Sequence, residues 1–465
     1  MEVPNKIKTM VKELVRNQSE FFASQQTKNV KFRIKYLKLL QKALVKHEDA
    51  ICEALYKDFK KPTFETLATE TQLVLSELKY ILNRLELWAK PKRVGFTWAN
   101  FPSSDWIYSE PYGRTLVISP WNYPILLTLS PLVGALAAGN TVVIKPSELS
   151  PNTSAVIAKI IGEVFPKEYV SVVEGGVSTS TALLNEPWDY IFFTGSSKVA
   201  KIVYKAAAEH LAPVTLELGG KNPCIVDESV AIKVAAKRIV WSKFMNAGQT
   251  CVAPDYILVH KKVKTKFVDA LKQQISNFYG NDIQQSLDYA RIATHNHFES
   301  LKQKLQDQEI LFGGICEDSD RYIAPTLVNE PALDSALMSD EIFGPILPII
   351  TYETEADIEN TIKTYDKSLA LYVFSKRRKF QKRIINRYGF GGGVINDAVM
   401  QIANKELPFG GVGQAGIGAY HGKHSYELFS HKKAIVKKPN WIDIPLRYAP
   451  YKLPIKLAKQ FKRLF

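Results

Sequence analysis

The sequence predicts a doubly wound α/β fold, and two patterns along the chain support this prediction. From Arg114 onward, short runs of β-forming residues alternate with stretches typical of helices. The runs at 115–119, 141–144 and 190–193 are largely apolar throughout, as expected of strands buried on both faces of a parallel sheet. A second alternating block follows Gly220, so we expect two domains of this kind.

Length and composition are those of a globular protein with room for several domains. The chain has 465 residues, of which 46% are hydrophobic and 23% are charged. Its four cysteines, Cys52, Cys224, Cys251 and Cys316, lie far apart and form no C-x-x-C pair. This spacing argues against a disulfide framework or a metal site and favours reduced thiols in the cytoplasm. The apolar stretch 125–138 is shorter than the about 20 residues that span a bilayer, so it predicts a buried helix.

The net charge of +15 raises the question of an anionic partner. The basic residues are spread along the chain and no nucleic-acid-binding module is recognisable, so we expect no nucleic-acid partner. Between Arg447 and Phe465, however, there are six basic residues and no acidic one, and a helix drawn over 456–465 has one apolar and one basic face. This pattern is compatible both with a helix on an anionic membrane and with a helix docked on its own protein.

Two short motifs suggest covalent catalysis. Cys251 ends the sequence Gly-Gln-Thr-Cys at 248–251, and Glu217 begins the sequence Glu-Leu-Gly-Gly at 217–220. A cysteine thiolate can attack a carbonyl carbon, and a carboxylate can activate a water molecule. A cysteine among small residues is more often an inert core residue, so this pair alone establishes no activity.

Together, the two motifs closely resemble the active-site signatures of the aldehyde dehydrogenase superfamily. The resemblance extends from about Phe32 to about Ala434. The sequence Val-Ala-Pro-Asp-Tyr at 252–256 and the sequence Tyr-His-Gly-Lys-His-Ser-Tyr at 420–426 are similar to the class 3 branch. The resemblance implies two doubly wound domains joined by a small bridging, or oligomerisation, β-sheet. It also implies a homodimer, the usual state of class 3 enzymes.

The resemblance also implies how the domains divide the chain. The expected units are an NAD-binding domain (1–92 and 113–218), a catalytic domain (219–404), a bridging segment (93–112 and 405–440) and a basic amphipathic C-terminal tail (441–465). From its reduced thiols we expect the enzyme in the cytoplasm, and the basic tail would allow peripheral contact with a membrane.

The activity implied by the resemblance is NAD(P)-dependent oxidation of an aldehyde, either aliphatic of medium or long chain or aromatic, to a carboxylate. Cys251, helped to ionise by nearby backbone dipoles, would attack the aldehyde and form a thioester after hydride transfer. Asn122, in Pro-Trp-Asn-Tyr-Pro, would stabilise the oxyanion together with the backbone N–H of Cys251. Glu217 would activate the water that releases the acid.

Cofactor-binding residues are expected at the ends of two predicted strands. Gly195 and Ser196 form a turn between a strand and a helix, where free backbone N–H groups favour a phosphate. Lys145 and Glu148 follow the second strand, and the resemblance implies that they hold the adenosine ribose. Because Glu148 would repel a 2′-phosphate, we expect NAD as the cofactor, with NADP as the alternative.

Further candidate residues lie in the second half of the chain. Glu341 and Phe343, in Glu-Ile-Phe-Gly-Pro, match residues that hold the nicotinamide ribose and lie beside its ring in the family. Asn396 matches a family asparagine near the active site. The G-x-G-x-x-G sequence at 411–416 follows no strand and has no acidic residue about 20 positions later, so it predicts a loop.

Two other functions are compatible with parts of the sequence. One is a reductase that acts on a CoA- or phosphate-activated acyl group, although such enzymes do not need Glu217 to activate water. The other is a catalytically silent, membrane-associated scaffold that uses the basic tail. The intact set of Asn122, Glu217, Cys251 and Glu341 argues against a silent protein.

Overall fold

The computed structural model describes residues 3–451 and 454–460. Its first part, up to Trp88, is helical. The helices are α1 (Asn5–Ala23), α2 (Val30–Lys46), α3 (Glu48–Phe59), α4 (Thr63–Thr66), α5 (Gln72–Leu82) and α6 (Leu85–Trp88), with a π-helical turn at Leu67–Thr71.

Strands and helices then alternate. The elements up to the first catalytic motif are β1 (Lys92–Val94), β2 (Ser104–Pro111), β3 (Arg114–Ile118), α7 (Pro124–Ala138), β4 (Thr141–Lys145), α8 (Pro151–Val164), β5 (Val170–Val172), α9 (Val177–Leu184), β6 (Tyr190–Thr194), α10 (Ser197–Glu209) and β7 (Val214–Glu217).

A second alternating block follows, as the sequence predicts. Its elements are β8 (Pro223–Val226), α11 (Ile232–Phe244), β9 (Tyr256–His260), α12 (Lys264–Tyr279), α13 (His295–Lys304), β10 (Ile310–Phe312), β11 (Cys316–Glu317), β12 (Tyr322–Ile323), β13 (Thr326–Asn329), β14 (Ile346–Tyr352), α14 (Glu355–Lys363), β15 (Ala370–Phe374), α15 (Arg378–Arg387) and β16 (Gly392–Ile395). The remaining elements are β17 (Gly416–Ile417), α16 (Gly422–Leu428), β18 (Ser430–Lys437) and α17 (Ile455–Gln460).

Two large sheets confirm the doubly wound α/β prediction. The first has the order β17-β7-β6-β3-β4-β5 and is parallel except for β17. The second has the order β10-β13-β14-β9-β8-β15-β16 and is parallel except for β10. In each sheet the chain starts at an inner strand, β3 or β8, and extends in both directions from it.

The third sheet is the small bridging sheet. It is antiparallel, with the order β1-β2-β18, and β18 runs beside β2 from Ser430↔Pro111 to Lys437↔Ser104. The segment 405–440, which we assigned to this bridging unit, also supplies β17, where Gly416 pairs with Glu217. The bridging segment thus contributes to two sheets, because a short edge strand requires only a few residues of extended chain beside β7.

The apolar stretch 125–138 forms the buried helix α7, which confirms its prediction. Pro124 starts the helix, and Gly139, with φ 102°, ends it. The buried carboxylate of Glu70 accepts the N–H groups of Ile125 (2.8 Å) and Leu126 (3.3 Å) at the first turn of the helix. Lys61, also fully buried, neutralises Glu70 at 2.6 Å. Since removing one partner of such a buried pair costs about 3–5 kcal/mol, this contact fixes the start of α7 firmly.

The C-terminal part of the chain is only partly described. Within the described residues, no helix is both long enough and apolar enough to cross a membrane. The predicted amphipathic helix begins at Ile455, but 461–465, which complete both of its predicted faces, lie outside the described residues, as does Lys452.

Candidate active site

The carboxyl edge of the first sheet brings three of the predicted site segments together. Asn122 follows β3, the turn with Gly195 and Ser196 follows β6, and Glu217 ends β7. Because β3, β6 and β7 are neighbours in the sheet, the segments after them meet at one edge, where open α/β sheets bind their ligands.

Cys251 reaches this edge from the second sheet, on the loop between α11 and β9. The loop turns sharply at Asn246 (φ 55°) and Ala247 (φ 51°), which both adopt the left-handed conformation. Gly248 (φ 74°) follows, and a side chain there would collide with the carbonyl of Gly344. The glycine before the Gln-Thr-Cys sequence is therefore required by a close approach of two backbone segments.

Gln249 holds this loop in place. Its side chain is fully buried and donates to the carbonyls of Asn246 (3.0 Å) and Arg291 (2.9 Å), while its oxygen accepts the N–H of Ala293 (2.9 Å). All of its amide hydrogen-bonding groups thus have partners, so the loop is tied to a segment about forty residues later in the chain.

Two asparagines fix the backbone on either side of the thiol. Asn222 donates to the carbonyl of Cys251 (2.7 Å), and Asn122 donates to the carbonyl of Gln249 (3.1 Å). Asn246 in turn donates to the carbonyl of Asn122 (2.9 Å). Sequence reasoning identified Asn122 but missed Asn222 and the anchoring role of Gln249, because their partners lie far away in the chain.

Two cavities meet at Cys251. The first, of about 260 Å³, brings together seven of the ten candidate site residues: Asn122, Gly195, Ser196, Glu217, Cys251, Glu341 and Phe343. The second, of about 210 Å³, has a nearly pure hydrocarbon wall that includes Leu73, Leu126, Trp241, Met245, Val399 and Ile402. The thiol therefore stands between a polar space and an apolar space.

Glu217 is buried in the wall of the polar cavity. Its side chain is 2% exposed, and neither carboxylate oxygen has a hydrogen-bond partner among the described residues. Burial raises the pKa of Glu217 well above its ordinary value. A carboxylate in this environment is a stronger base than one in water, because ionisation there is not supported by solvent.

The thiol of Cys251 is also held in its neutral form. Burial raises its pKa to about 12, and the carboxylates of Glu341 and Glu217 add to this effect. The backbone N–H groups of Cys251 and Val252 lower the pKa, as we expected of nearby dipoles, but their effect is smaller. The dipoles thus act in the expected direction, but burial outweighs them.

Glu341 explains a glycine of the Glu-Leu-Gly-Gly motif. Its carboxylate occupies the place where a side chain at Gly219 would lie, so a larger residue there would displace the carboxylate. Gly220 donates its backbone N–H to this carboxylate, while burial and the charge of Asp255 raise the pKa of Glu341 to about 8.

Phe343 is positioned by a histidine that sequence reasoning missed. The residue has a left-handed backbone (φ 52°), and its carbonyl accepts a hydrogen bond from Nε2 of His297 (2.8 Å). Its ring meets Trp121 edge to face, with ring centres 5.5 Å apart. His297 lines the polar cavity too, but nothing in its local sequence distinguishes it from a surface histidine.

Lys145 and Glu148 lie at the same edge of the sheet but line neither of these cavities. Lys145 is buried at the end of β4 and donates to Glu148 (2.9 Å), whose side chain is partly exposed. Asn396, expected near the active site, also lines neither cavity, because its side chain accepts the backbone N–H of Ser375 (2.8 Å). The G-x-G-x-x-G segment forms a loop, as predicted, and lies against β7.

Comparisons with known proteins agree with this architecture. The model of the aldehyde dehydrogenase family matches residues 1–435. The chain belongs to the aldehyde dehydrogenase family. Relatives include a 4,4'-diaponeurosporen-aldehyde dehydrogenase of Staphylococcus aureus, 48% identical over 95% of this chain and 96% of the relative. Another is a dimeric NADP-preferring aldehyde dehydrogenase of Canis lupus familiaris, 41% identical over 95% of this chain and 98% of the relative.

A solved structure shows the same fold at high similarity. The substrate-bound state of Staphylococcus aureus AldH has a TM-score of 0.95 and 47% identity, covering 97% of this chain and 99% of that one. Several relatives are named as family 3 members, which agrees with the class 3 resemblance. The protein is thus an NAD(P)-dependent aldehyde dehydrogenase that oxidises aldehydes to acids. Neither the acyl reductase nor the silent scaffold is supported.

The residues of the polar cavity fit a nicotinamide cofactor. Gly195 and Ser196 precede the 13-residue helix α10, whose first N–H groups favour a phosphate. The bare backbone of Gly219 and the carboxylate of Glu341 leave a polar recess beside the thiol. Hydroxyl groups of a ribose are suitable partners for such a carboxylate.

The raised pKa of Cys251 has a measurable consequence. In the cofactor-free enzyme, we expect alkylation of Cys251 by iodoacetamide to accelerate about tenfold per pH unit from pH 7 to 10 without levelling off, because only the thiolate reacts. Peptide mass spectrometry gives the rate for Cys251 itself, and an unstructured cysteine peptide, with a pKa of about 8.5, is the control. A rate that levels off near neutral pH would show that the thiol is ionised already.

Proposed function

We propose that Cys251, Glu217 and Asn122 carry out the aldehyde oxidation. The position of Cys251 where the polar and apolar cavities meet is the observation that supports this most directly. The apolar cavity can hold the hydrocarbon part of an aldehyde, while the polar cavity contains Glu217 and the candidate cofactor residues. An aldehyde carbon that reaches the thiol from the apolar side would face both groups.

The first half of the reaction forms a bond between Sγ of Cys251 and the aldehyde carbon, while the thiol proton passes to solvent. The oxyanion that results accepts hydrogen bonds from the Asn122 side chain and the backbone N–H of Cys251. One amide N–H of Asn122 is engaged with Gln249, so the other remains for the oxyanion. Removing one such donor typically lowers the rate by about 10²–10³-fold.

The second half releases the acid. When bound, NAD(P)⁺ supplies the acceptor for the hydride of the aldehyde. The acyl group is then held on Cys251 as a thioester. Glu217 takes a proton from a water molecule, the water oxygen attacks the acyl carbon, and the Cys251 thiolate leaves with the carboxylic acid as the other product. The raised pKa of Glu217 suits this proton transfer.

We further propose that the substrates are hydrophobic aldehydes, aliphatic of medium or long chain or aromatic. The wall of the apolar cavity supports this, since it offers almost no polar surface along its length. A charged or strongly hydrated substrate would lose its hydration there without compensation.

The division of labour between Cys251 and Glu217 can be tested with NADH formation from a panel of aldehydes, acetaldehyde to hexadecanal and benzaldehyde, with and without CoA. We expect turnover without CoA in the wild type and none in Cys251→Ala. Glu217→Gln should retain one NADH per active site in the first turnover but lose about 10²-fold or more in steady-state rate, because glutamine cannot act as a base. Unchanged steady-state turnover in Glu217→Gln would refute this assignment.

The cofactor residues divide into three groups under this proposal. Gly195 and Ser196 receive the pyrophosphate, and Lys145 with Glu148 holds the adenosine ribose. Glu341 and Phe343, on the segment between β13 and β14 of the second sheet, hold the nicotinamide ribose and the ring. The ion pair between Lys145 and Glu148 at the end of β4 supports an acceptor for ribose hydroxyls at that place.

This arrangement predicts a preference for NAD. The wild type should have a higher kcat/KM with NAD than with NADP, because the Glu148 carboxylate repels a 2′-phosphate. Glu148→Gln should narrow that ratio, whereas Glu53→Gln, a change at an exposed residue of α3, should leave it unchanged. Steady-state kinetics with both cofactors measures the ratio, and equal efficiency of NAD and NADP in the wild type would contradict the proposal.

We propose that the enzyme is a homodimer. Strand β18 is an edge strand, exposed along most of its length, and its apolar residues Ile435 and Val436 are 39% and 49% exposed. A long, exposed, partly apolar edge strand is a surface for pairing with another chain. The canine relative is named as dimeric.

Sedimentation velocity tests the dimer. The wild type should sediment as a dimer of the 52.4 kDa chain. Ile435→Lys with Val436→Lys should shift it toward the monomer, since two charges would have to be buried in the interface. Val45→Lys, at an exposed position of α2, is the matched control. A wild-type monomer at micromolar concentration would contradict the proposal.

The division of the chain into an NAD-binding domain (1–92, 113–218), a catalytic domain (219–404), a bridging segment (93–112, 405–440) and a tail (441–465) remains our proposal. We also propose a cytoplasmic enzyme, in keeping with its free cysteines, whose tail contacts a membrane surface. The exposure of Ile455 (75%) and Leu457 (48%) supports the membrane contact over docking on the protein itself.

A further inference from the structure

The wall of the apolar cavity includes an imidazole ring, whose hydrogen-bonding groups have no use for a hydrocarbon chain. His421 lines this cavity and is 4% exposed. Neither ring nitrogen has a hydrogen-bond partner among the described residues. Nδ1 is fully buried, whereas Nε2 keeps some exposed surface, so Nε2 is the atom that a molecule in the cavity can reach. Buried polar groups are nearly always hydrogen-bonded, so an exception beside a substrate cavity calls for a partner from outside the chain.

The other polar groups nearby differ from His421 in this respect. The hydroxyl of Thr69 donates to the carbonyl of Glu65 (2.6 Å), and those of Tyr123 and Thr250 bind each other (2.7 Å). These hydroxyls are satisfied within the protein. The hydroxyl of Tyr420, next to His421, is the other group without a hydrogen bond to a described residue.

The backbone is held so that His421 keeps its position. The residue has φ 82° and ψ 137°, which a residue with a side chain rarely adopts. Its N–H donates to the hydroxyl of Ser425 (2.8 Å), and the next N–H, of Gly422, donates to the buried carboxylate of Glu77 (2.6 Å). The ring itself stacks on Phe409, with centres 5.2 Å apart. The imidazole is thus fixed before any ligand arrives.

The chemistry of the missing partner follows from the charge of the ring. Burial, with a smaller contribution from the charges of Lys405 and His424, lowers the pKa of His421 to about 3. At neutral pH the imidazole is therefore uncharged and offers one N–H donor and one acceptor. It suits an uncharged hydroxyl or carbonyl and provides no ion pair for a carboxylate.

We propose that His421 is a specificity-determining residue, whose imidazole binds a hydroxyl or carbonyl oxygen carried on the otherwise apolar chain of the aldehyde. This inference rests on the proposed function, because it takes the apolar cavity as the substrate site. It adds that the favoured aldehydes are not plain hydrocarbons. They carry one uncharged hydrogen-bonding group at the position along the chain that lies beside His421 when the aldehyde carbon is at Cys251.

The test compares kcat/KM for decanal, for monohydroxydecanals with the hydroxyl at successive positions, and for the ω-carboxylate analogue. The wild type should favour one hydroxyl position over its neighbours. His421→Phe should lower the ratio of kcat/KM for that isomer to kcat/KM for decanal by about two- to tenfold, the range of one uncharged hydrogen bond. His421→Asn, which keeps an uncharged hydrogen-bonding side chain, should restore part of the preference, and Thr69→Val should leave it intact.

The outcomes separate this inference from the proposed function. Decanal turnover by His421→Phe shows that the variant is folded and active. Loss of the hydroxyl preference in Tyr420→Phe but not in His421→Phe would overturn the assignment to His421, as would equal kcat/KM for all isomers in the wild type. A higher kcat/KM for the carboxylate analogue than for the hydroxydecanals would contradict the inference that the substrate's hydrogen-bonding group is uncharged. Failure of the wild type to oxidise decanal or any hydroxydecanal would instead refute the proposed substrate site, and this inference with it.

Discussion

The site depends on how the loop before Cys251 is held between the two large sheets. Asn246 and Ala247 adopt left-handed conformations that side chains disfavour, so the loop needs contacts that outweigh this strain. The buried amide of Gln249 supplies three of them, and Asn222 and Asn122 supply others. Without this hydrogen-bonded frame the thiol would not lie opposite Glu217, and the two cavities would not share a wall.

Cys251 lies between two different environments, the polar cavity and the apolar cavity. On one side lie the carboxyl groups of Glu217 and Glu341, whose pKa values are raised because burial keeps water away from them. On the other lies a wall of aliphatic and aromatic side chains. Because the thiol belongs to both sides, a substrate and a cofactor can approach it from opposite directions without competing for space. The same burial that keeps the thiol neutral also strengthens any hydrogen bond to a charge that develops there.

Much of the fold followed from the sequence because its strands are buried on both faces. The runs predicted at 115–119, 141–144 and 190–193 form the strands β3, β4 and β6 with bounds that differ by no more than one residue at each end. The signature motifs also indicated which residues line the polar cavity. Asn222 and His297 were not predictable, since their partners are brought near only by folding. The effect of burial on the pKa of Cys251 was not predictable for the same reason: the backbone dipoles are local, whereas the burial that outweighs them is not.

Glu217 shows what such a site demands of the rest of the protein. A buried carboxyl group without hydrogen bonds destabilises the native state, and an apolar residue of similar size would remove that cost. Laboratory evolution that selects this enzyme for thermostability alone would therefore favour losing Glu217 early. Under the role that we propose for Glu217, a screen meant to produce a robust catalyst has to score hydrolysis of the acyl intermediate in every round, since the first hydride transfer would not reveal the loss.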